Sequence, residues 1–287
     1  MGLRGRYRTG ARPGWAGLTV RVPILMYHSV AEQPAAETRR LAVRPGDLAD
    51  QLGHLRDSGF TPLSFSDLAA ALRDNGSALP ARPIVITFDD GYADFHTEAL
   101  PILDELGFAA TLFVTTGWLH DAGPHAAGRP LDRMLTWSQV KEAAAHRVEV
   151  AGHSHSHPQL DQIGDAALRE ELVCNKALLE DEVGRPVTTM AYPFGYFNTR
   201  VQRAVAAAGY EAACAVDNAV AAGPHDRFAM PRLTVDRGTT MSKFRAAVAG
   251  RGVPALYLTE RTLTKGYAVV RRARWALRRC TSGLGPR

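Results

Sequence analysis

The chain has 287 residues, of which 46% are hydrophobic, and this size suits one large α/β domain or two small ones. No apolar run approaches the ~20 residues of a membrane span, and the basic segment before Val22 lacks the apolar stretch of a secretory signal, so we expect a cytoplasmic protein. Cys174, Cys214 and Cys280 are too few and too scattered for a disulfide framework or a zinc ribbon.

The net charge of the chain is +5, but the charged residues are distributed unevenly along it. Residues 1–21 contain five Arg and no acidic residue, and residues 251–287 contain nine Lys and Arg against one Glu, which leaves 20 basic and 28 acidic residues in 22–250. Basic ends of this kind are typical of solvated tails, and we predict no nucleic-acid partner. We expect a disordered segment over 1–21, a folded domain over 22–250 and a basic helical tail over 251–287.

Predicted strands and helices alternate along the domain. Runs rich in Val, Ile, Leu and Phe predict strands at 23–30, 61–65, 83–90, 109–114, 148–153, 188–194, 212–216 and 228–235. Ala-rich stretches predict helices near 46–58, 66–74, 95–106, 138–146, 166–183 and 198–208, with Ser66, Asp94, Ser138 and Asp165 as N-caps. Because strand–helix alternation folds as a parallel sheet covered by helices, we predict an α/β fold, a (β/α) barrel of seven to eight strands.

Two segments break this alternation. Residues 116–135 form a long Gly- and Pro-containing loop, which commonly shapes a substrate cleft. Residues 255–279 interleave apolar residues with six Arg and one Lys, which predicts a basic amphipathic helix. Such a helix either contacts an anionic membrane surface or packs on the barrel. Its apolar residues are Leu256, Leu263, Tyr267, Val270, Trp275 and Leu277.

Polar residues gather where the predicted strands end. His28, Asp89, Asp90 and His153 stand at or near three strand ends, and a Tyr-Pro-Phe-Gly sequence ends a fourth. Functional groups of an α/β barrel collect at this rim, so the set has the composition of an active site. Two neighbouring carboxylates at a strand end face different ways, and one can bind a metal while the other acts as a base. The alternative is that Asp-Asp-Gly is only a turn.

The sequence AGHSHSHP at 151–158 places three histidines on alternate positions. A continuing strand would align all three on one face, whereas a helix after Gly152 would align His153 with His157 and turn His155 about 200° away. Pro158 and the polar run favour the helix. Two histidines with one carboxylate bind a divalent ion and leave positions open for water and substrate, although histidine pairs four residues apart also occur by chance.

The segments ITFDDGYADFHTEALPIL (86–103) and VEVAGHSHSHPQL (148–160) resemble the polysaccharide deacetylase family, the NodB-homology domain of carbohydrate esterase family 4. Its signatures T-F-D-D-G and H-[ST]-x-x-H-P both occur in order, and the resemblance covers roughly 22–250. It implies a distorted (β/α) barrel that removes acetyl groups from an N-acetylated sugar such as N-acetylglucosamine. It also implies one divalent metal ion, with zinc as the default and cobalt, nickel or iron as substitutes.

Position by position, the resemblance implies that Asp90, His153 and His157 are the metal ligands and that Asp89 is the general base. The segment YPFG at 192–195 matches the one whose backbone N–H, that of Phe194 here, faces the carbonyl oxygen. No organic cofactor is implied.

Two departures from the family pattern concern the remaining roles. Ala191 stands where the family has an Arg, and the late sequence RLTVD lacks the family's acid histidine. The subgroup similar to intercellular-adhesin deacetylases shares an Ala-Tyr-Pro-Phe-Gly sequence and has its acid histidine on an early strand. VPILMYHSV resembles that strand, which implies His28 as the general acid, its pKa held up by a neighbouring carboxylate. Arg232 in MPRL would replace the missing Arg in orienting Asp89.

Three functions fit these residues. A metal-dependent N-deacetylase of a sugar or glycan is favoured, because a base, a ligand triad and a substitute acid are all present. The alternatives are an inert carbohydrate-binding relative and a deacetylase or amidase of a small cytoplasmic metabolite.

Overall fold

Strands and helices alternate through most of the chain. The computed structural model describes residues 21–282 except 75, 77 and 223–225, so nearly all of the predicted N-terminal segment lies outside the described residues. Strands lie at Arg21–Val22 (β1), Ile24–Tyr27 (β2), Thr61–Leu63 (β3), Pro83–Phe88 (β4), Ala110–Val114 (β5), Val148–Gly152 (β6), Thr189–Ala191 (β7), Ala212–Cys214 (β8), Ala221–Ala222 (β9) and Leu233–Thr234 (β10). Helices lie at Pro45–Asp57 (α1), Phe65–Arg73 (α2), Leu100–Leu106 (α3), Trp137–Ala145 (α4), Asp165–Val183 (α5), Thr199–Ala207 (α6), Met241–Val248 (α7), Val253–Leu256 (α8) and Leu258–Ser282 (α9).

The main sheet is parallel and curls into a distorted barrel. In the described part of the chain its order is β10-β2-β4-β5-β6-β7-β8, with β3 pairing beside β4. Residues 228–235 join its two edges, because Met230 pairs with Cys214 of β8 while Leu233 pairs with Leu25 of β2. This predicted strand is split at Pro231, which has no N–H to give to a ladder. The predicted (β/α) barrel of seven to eight strands is confirmed.

Apolar side chains fill both faces of the sheet. Every residue of β4 and β5 is buried, as expected for strands covered on two sides. One cluster lies between the strands and the outer helices, and a second lies inside the barrel. Phe65 and Leu68 of α2 belong to the inner cluster together with Val85 and Phe113, so α2 closes one end of the barrel. The opposite end of the barrel is not covered by this helix.

A polar network lies at the closed end. Glu149 of β6 accepts hydrogen bonds from the Ser66 N–H at 2.9 Å and from the Thr111 hydroxyl at 2.8 Å, and the Thr189 hydroxyl also donates to it. Burial raises the pKa of Glu149 above its ordinary value. The carboxyl group therefore links the start of α2 to three neighbouring strands.

Three of the predicted N-caps are wrong by one or two residues. Ser64 caps α2 by accepting from the Asp67 N–H, and Thr136 forms a capping box with Gln139 at the start of α4. Gly164 precedes α5. The predicted caps Ser66, Ser138 and Asp165 lie in the first turns of these helices, and Asp94 makes no capping bond. Several Ser, Thr and Asp residues compete near each helix start, and tertiary contacts select among them.

The C-terminal residues pack on the barrel before they reach solvent. Val253 and Tyr257 are part of the outer core, and the Tyr257 hydroxyl donates to the Thr234 carbonyl at 3.0 Å. In the described part of the chain no helix combines the length and apolar character needed to cross a bilayer. The domain boundary at residue 250 and the location of the protein stay predictions.

The apolar residues predicted for the membrane-facing side of the tail have different surroundings. Leu263, Tyr267 and Val270 are exposed along one flank of α9. Trp275 instead lies under Arg200, whose guanidinium carbon is 4.7 Å from the ring centre. Leu256 is partly buried against the core, and the side chain of Leu277 lies outside the described residues. Membrane contact stays a prediction, and only part of the predicted surface is available for it.

Candidate metal centre and active site

The open end of the barrel brings the predicted site residues together. His28 follows β2, Asp89 and Asp90 follow β4, and His153 follows β6. A turn at Pro193–Gly195, which contains Phe194, follows β7. The parallel strands have a common direction, so all of these groups lie at the same rim.

Asp89 points into the barrel and binds Arg232. Arg232 Nη1 donates to Oδ1 at 2.6 Å and Nη2 donates to Oδ2 at 2.7 Å, which is a bidentate pair with exposures of 0% and 3%. Arg232 also donates to the Thr87 hydroxyl and the Ala215 carbonyl, both at 3.1 Å. Burial alone would raise the pKa of Asp89, but Arg232 and His153 hold it below its ordinary value. The carboxylate is therefore ionised and fixed in orientation.

Asp90, His153 and His157 form a possible metal-binding group. Asp90 Oδ1 lies 3.3 Å from His153 Nε2 and 3.2 Å from His157 Nε2, and one ligand atom from each residue lies within 4.8 Å of the others. Asp90 is in the left-handed conformation with φ 73°, which directs its side chain differently from that of Asp89. The two adjacent carboxylates thus have different partners.

The electrostatics of this group suit a cation. Asp90 Oδ1 is buried and lacks an aligned hydrogen bond within the described residues, although two imidazole nitrogens are close to it. Burial alone would raise the pKa of Asp90, but His153 and His157 lower it well below its ordinary value, so the group is a carboxylate. A buried acceptor in this state is costly unless a cation balances it. Two imidazoles and one carboxylate are a ligand set for zinc and similar divalent ions, and the residues fit such an ion.

His153 is held in the form that a metal ligand requires. Its Nδ1 lies 2.9 Å from the Ala191 carbonyl oxygen, which can only accept, so Nδ1 carries the proton and donates it. Nε2 then faces Asp90, and a backbone carbonyl behind an imidazole is a common support for metal ligands. Burial lowers the pKa of His153, but Asp89 and Asp90 outweigh it and raise the net value. A proton therefore competes with a metal ion for Nε2.

The helical explanation for residues 153–158 is wrong. The strand β6 ends at Gly152, and Ser154 and His157 adopt left-handed conformations with φ of 63° and 61°, which no helix contains. The Glu171 carboxylate of α5 accepts the N–H groups of His155 and Ser156, at 2.9 and 2.8 Å. An irregular loop held by side chains, rather than a helix turn, brings His153 and His157 together.

His155 lies apart from the possible metal-binding group. Its Nδ1 is 2.9 Å from the Thr116 hydroxyl, on the long loop that follows β5. This placement is the one predicted for a residue that is not a ligand, although the helix turn on which the prediction rested is absent.

The turn after β7 presents the Phe194 backbone at the rim. Phe194 and Gly195 are both left-handed, with φ of 59° and 71°. A Cβ at Gly195 would lie 2.6 Å from Val216 Cβ, so this position requires glycine. The N–H groups of Gly195 and Tyr196 donate to carbonyls of the turn, whereas we find no acceptor for the Phe194 N–H within the described residues. The Phe194 N–H can therefore bind an external oxygen.

Aromatic rings surround His157. The rings of Phe194 and Trp118 lie 4.6 and 4.7 Å from the imidazole, measured between ring centres. Trp118 belongs to the 116–135 loop, so this loop lies beside the possible metal-binding group; its role in shaping a substrate cleft stays a prediction. Phe194 is 51% exposed, so one side of this aromatic wall faces solvent.

His28 is partly buried near the two carboxylates, but its pKa shifts opposite to the predicted direction. Burial lowers the pKa below the ordinary value and outweighs the attraction of Asp90 and Asp89. Arg232 and His153 add to the lowering. The expectation that a carboxylate holds this pKa up is therefore wrong. His28 Nδ1 has no hydrogen-bond partner among the described residues.

Sequence reasoning did not identify the residues of α5 that support the loop. Asn175, which is fully buried, donates to the Ser154 carbonyl at 2.8 Å and to the Val114 carbonyl at 2.9 Å. Glu171 stands four residues before it, so both face the loop from one side of the helix. The available signal was a polar pair next to the apolar residues Leu168 and Leu172.

The parallel barrel, with two histidines and two aspartates at its rim, places the molecule among the (β/α) barrel proteins with a possible divalent-metal site. Residues 76–213 match the family model "Polysaccharide deacetylase", and this part of the chain belongs to the polysaccharide deacetylase family. The resemblance predicted from the two motifs is confirmed.

Individual relatives support the same assignment. The Bacillus subtilis protein YxkH, assigned by its name to the polysaccharide deacetylases, is 26% identical over 231 residues, which are 79% of this chain and 76% of that protein. The Escherichia coli poly-beta-1,6-N-acetyl-D-glucosamine N-deacetylase is 36% identical over 140 residues, 46% of this chain but only 20% of the relative. The Streptococcus pyogenes deacetylase PplD, solved in complex with acetate, superposes with a TM-score of 0.72 at 25% identity, covering 80% of this chain and 99% of that one.

Proposed function

We propose that the chain is a metal-dependent N-deacetylase that releases acetate from an N-acetylated glycan. The observation that carries the proposal is the close grouping of Asp90, His153 and His157 beside an aspartate, Asp89, that an arginine keeps ionised. Family membership supports the reaction class. The relative from Escherichia coli supports a substrate built from N-acetylglucosamine, since its name specifies poly-beta-1,6-N-acetyl-D-glucosamine.

Asp90, His153 and His157 would hold the ion, with zinc as the default and cobalt, nickel or iron as chemically acceptable substitutes. A divalent ion at this position supplies Lewis acidity, which polarises the acetyl carbonyl and makes a water molecule more acidic.

Asp89 acts as the general base in this proposal. Its pKa is held below the ordinary value, so at neutral pH the side chain is an unprotonated carboxylate, the form that a general base requires. Arg232 donates to both carboxylate oxygens and so fixes the orientation of the side chain. The Phe194 N–H donates to the carbonyl oxygen, where negative charge develops during the attack.

His28 supplies the proton that the leaving amine needs. Burial lowers its pKa, so a smaller fraction of His28 is protonated at neutral pH, while the imidazolium that does form is a stronger acid than an exposed one. No described side chain binds its Nδ1, so the ring is not held by a structural hydrogen bond there.

Acetate release from a substrate panel tests the reaction. The panel contains poly-β-1,6-N-acetylglucosamine oligomers, chitooligosaccharides, peptidoglycan fragments and an N-acetylated nucleotide sugar, each with metal-loaded and chelator-treated protein. Activity on the polymers alone supports the proposal, and activity on the nucleotide sugar alone would favour a small-metabolite deacetylase. Absence of acetate from every substrate with metal-loaded protein would favour an inert carbohydrate-binding relative.

Two variants test the assigned roles. Asp89→Asn should retain the metal and lose about 10²–10⁴-fold in turnover, the usual contribution of a general base. His28→Ala should lose turnover on amides but hydrolyse an activated acetate ester, whose leaving group needs no proton, nearly as well as the wild type. Equal losses on both substrates would remove His28 from the acid role, and wild-type turnover in Asp89→Asn would remove the mechanism.

A further inference from the structure

The C-terminal helix α9 reaches the rim through Arg271. This residue lies in the middle of α9, far along the chain from the family match at 76–213, and its side chain is 8% exposed. Its Nε donates to Asp161 Oδ2 at 2.9 Å, and its guanidinium carbon lies 3.3 Å from the centre of the Tyr196 ring. One side chain therefore contacts two separate loops.

Both loops carry residues of the proposed active site. Asp161 follows the ligand His157 by four residues, in a segment we call the histidine loop, 153–163. Tyr196 follows Phe194 by two residues, in a segment we call the Phe194 turn, 193–196. The Phe194 ring packs on Tyr196 at 5.6 Å and on His157 at 4.6 Å, so the two loops also touch each other.

These contacts form a closed ring. It runs from Arg271 to Asp161, along the chain to His157, across to Phe194, on to Tyr196 and back to Arg271. Arg271 is the one member of this ring that lies outside the two loops.

Further contacts fix the histidine loop against α9 and α6. The Gln162 amide donates to the Arg271 carbonyl at 3.2 Å. Arg200 of α6 donates to the carbonyls of Leu160 and Ile163, at 3.2 and 2.9 Å, and its guanidinium lies over Trp275 of α9. The end of the histidine loop is thus enclosed by two helices.

We propose that Arg271 is a positioning residue that sets the relative position of the histidine loop and the Phe194 turn, and so of His157 and the Phe194 N–H. The inference rests on the proposed function for its catalytic consequence. Removing the guanidinium leaves the buried Asp161 carboxylate without this partner and takes away the surface on which Tyr196 lies. Both loops then open locally while the barrel strands stay paired.

Hydrogen exchange of the metal-free protein tests this directly. Arg271→Ala should raise exchange of backbone amides in 154–163 and 193–197 by about tenfold or more, with little change in β4 and β5. Arg274→Ala is the matched control, because Arg274 is exposed on the same helix and should change neither loop. Zinc affinity, measured by competition with a chromophoric chelator, should fall about 10–100-fold in Arg271→Ala only, as for other supports of metal ligands.

Single-arm variants separate the two contacts. Asp161→Asn should raise exchange mainly in the histidine loop, and Tyr196→Leu mainly in the Phe194 turn. Ethylguanidinium added to Arg271→Ala should restore part of the turnover, which a loss of overall stability would not allow. If Arg271→Ala does not fold, hydrogen exchange in Asp161→Asn and Tyr196→Leu still tests whether each contact positions its loop.

Unchanged exchange and zinc affinity in Arg271→Ala would overturn the inference. So would a uniform rise across the barrel, because α9 would then contribute only overall stability. If the wild type deacetylates no substrate, the proposed function fails, whereas exchange and zinc binding still decide whether Arg271 positions the loops.

Discussion

The buried ion pair of Asp89 and Arg232 allows a direct test of how the charges at the rim are stabilised. Arg232→Met keeps a long apolar stem and removes the guanidinium. Losing one partner of a buried ion pair costs about 3–5 kcal/mol, because the other charge remains in the interior. Asp89 is 3% exposed, and Arg232→Met also removes the hydrogen bonds of the guanidinium to Thr87 and Ala215. We therefore expect the free energy of unfolding to fall by an amount near the upper end of this range.

The loss should depend on pH in a defined direction. In the wild type the pKa of Asp89 is below its ordinary value, so its contribution to stability is present above the unfolded-state pKa and is lost as the pH falls through the folded-state pKa. Without Arg232, burial dominates and raises the pKa, so the variant loses stability as the pH rises instead. The difference between the two proteins should be largest near neutral pH and should shrink in acid.

Urea unfolding with chelator present, at neutral and acidic pH, measures this difference without a contribution from metal. The double variant Asp89→Asn/Arg232→Met removes both charges and should recover a large part of the stability. Equal stability of the single and double variants at every pH would refute the reasoning. A loss below about 1 kcal/mol at neutral pH, the size expected of an exposed pair, would refute it as well.

The remaining predictions concern the ligand set, the closed end of the barrel and the tail. His157→Ala should lose the bound metal, as measured by elemental analysis, whereas His155→Ala should keep it; loss in both would place His155 among the ligands. Because burial raises the pKa of Glu149, the stability it contributes is lost as the pH rises through that raised value, so Glu149→Gln should unfold in urea with a weaker pH dependence than the wild type. If the exposed flank of α9 binds anionic vesicles, Leu263→Ser/Val270→Ser should sediment less with them, and equal sedimentation would exclude this flank.

The fold and the close grouping of Asp90, His153 and His157 could be predicted from the sequence because their signals are local. Apolar runs of strand length alternate with helical stretches, and a barrel then brings the strand ends to one rim. The grouping of Asp90 with His153 and His157 follows from two short motifs. The conformation between the two histidines could not be predicted, since it depends on Glu171 and Asn175 of a later helix.

Arg232 and Arg271 show which contacts local sequence patterns cannot predict. The sequence predicts a role for Arg232 only through the family arginine that is missing at Ala191, and the bidentate contact of Arg232 with Asp89 spans 143 residues of sequence. Arg271 looked like one more charge on a basic helix, yet it is buried against Asp161, 110 residues away. The local sequence does not distinguish a solvated arginine from one that is paired in the interior. Only the packing of distant elements distinguishes these two cases.

The protonation states at the rim depend on the same distant contacts. Burial favours the neutral form of both Asp89 and His28. Asp89 stays ionised because Arg232 donates hydrogen bonds to both of its oxygens. The same guanidinium charge, together with burial, lowers the pKa of His28. One arginine therefore keeps the base unprotonated while lowering its proton affinity, and it makes the imidazolium of His28 a stronger acid while reducing the fraction of it at neutral pH. In the proposed reaction, which takes a proton from water and delivers one to an amine, the first effect on each group favours the reaction and the second limits it.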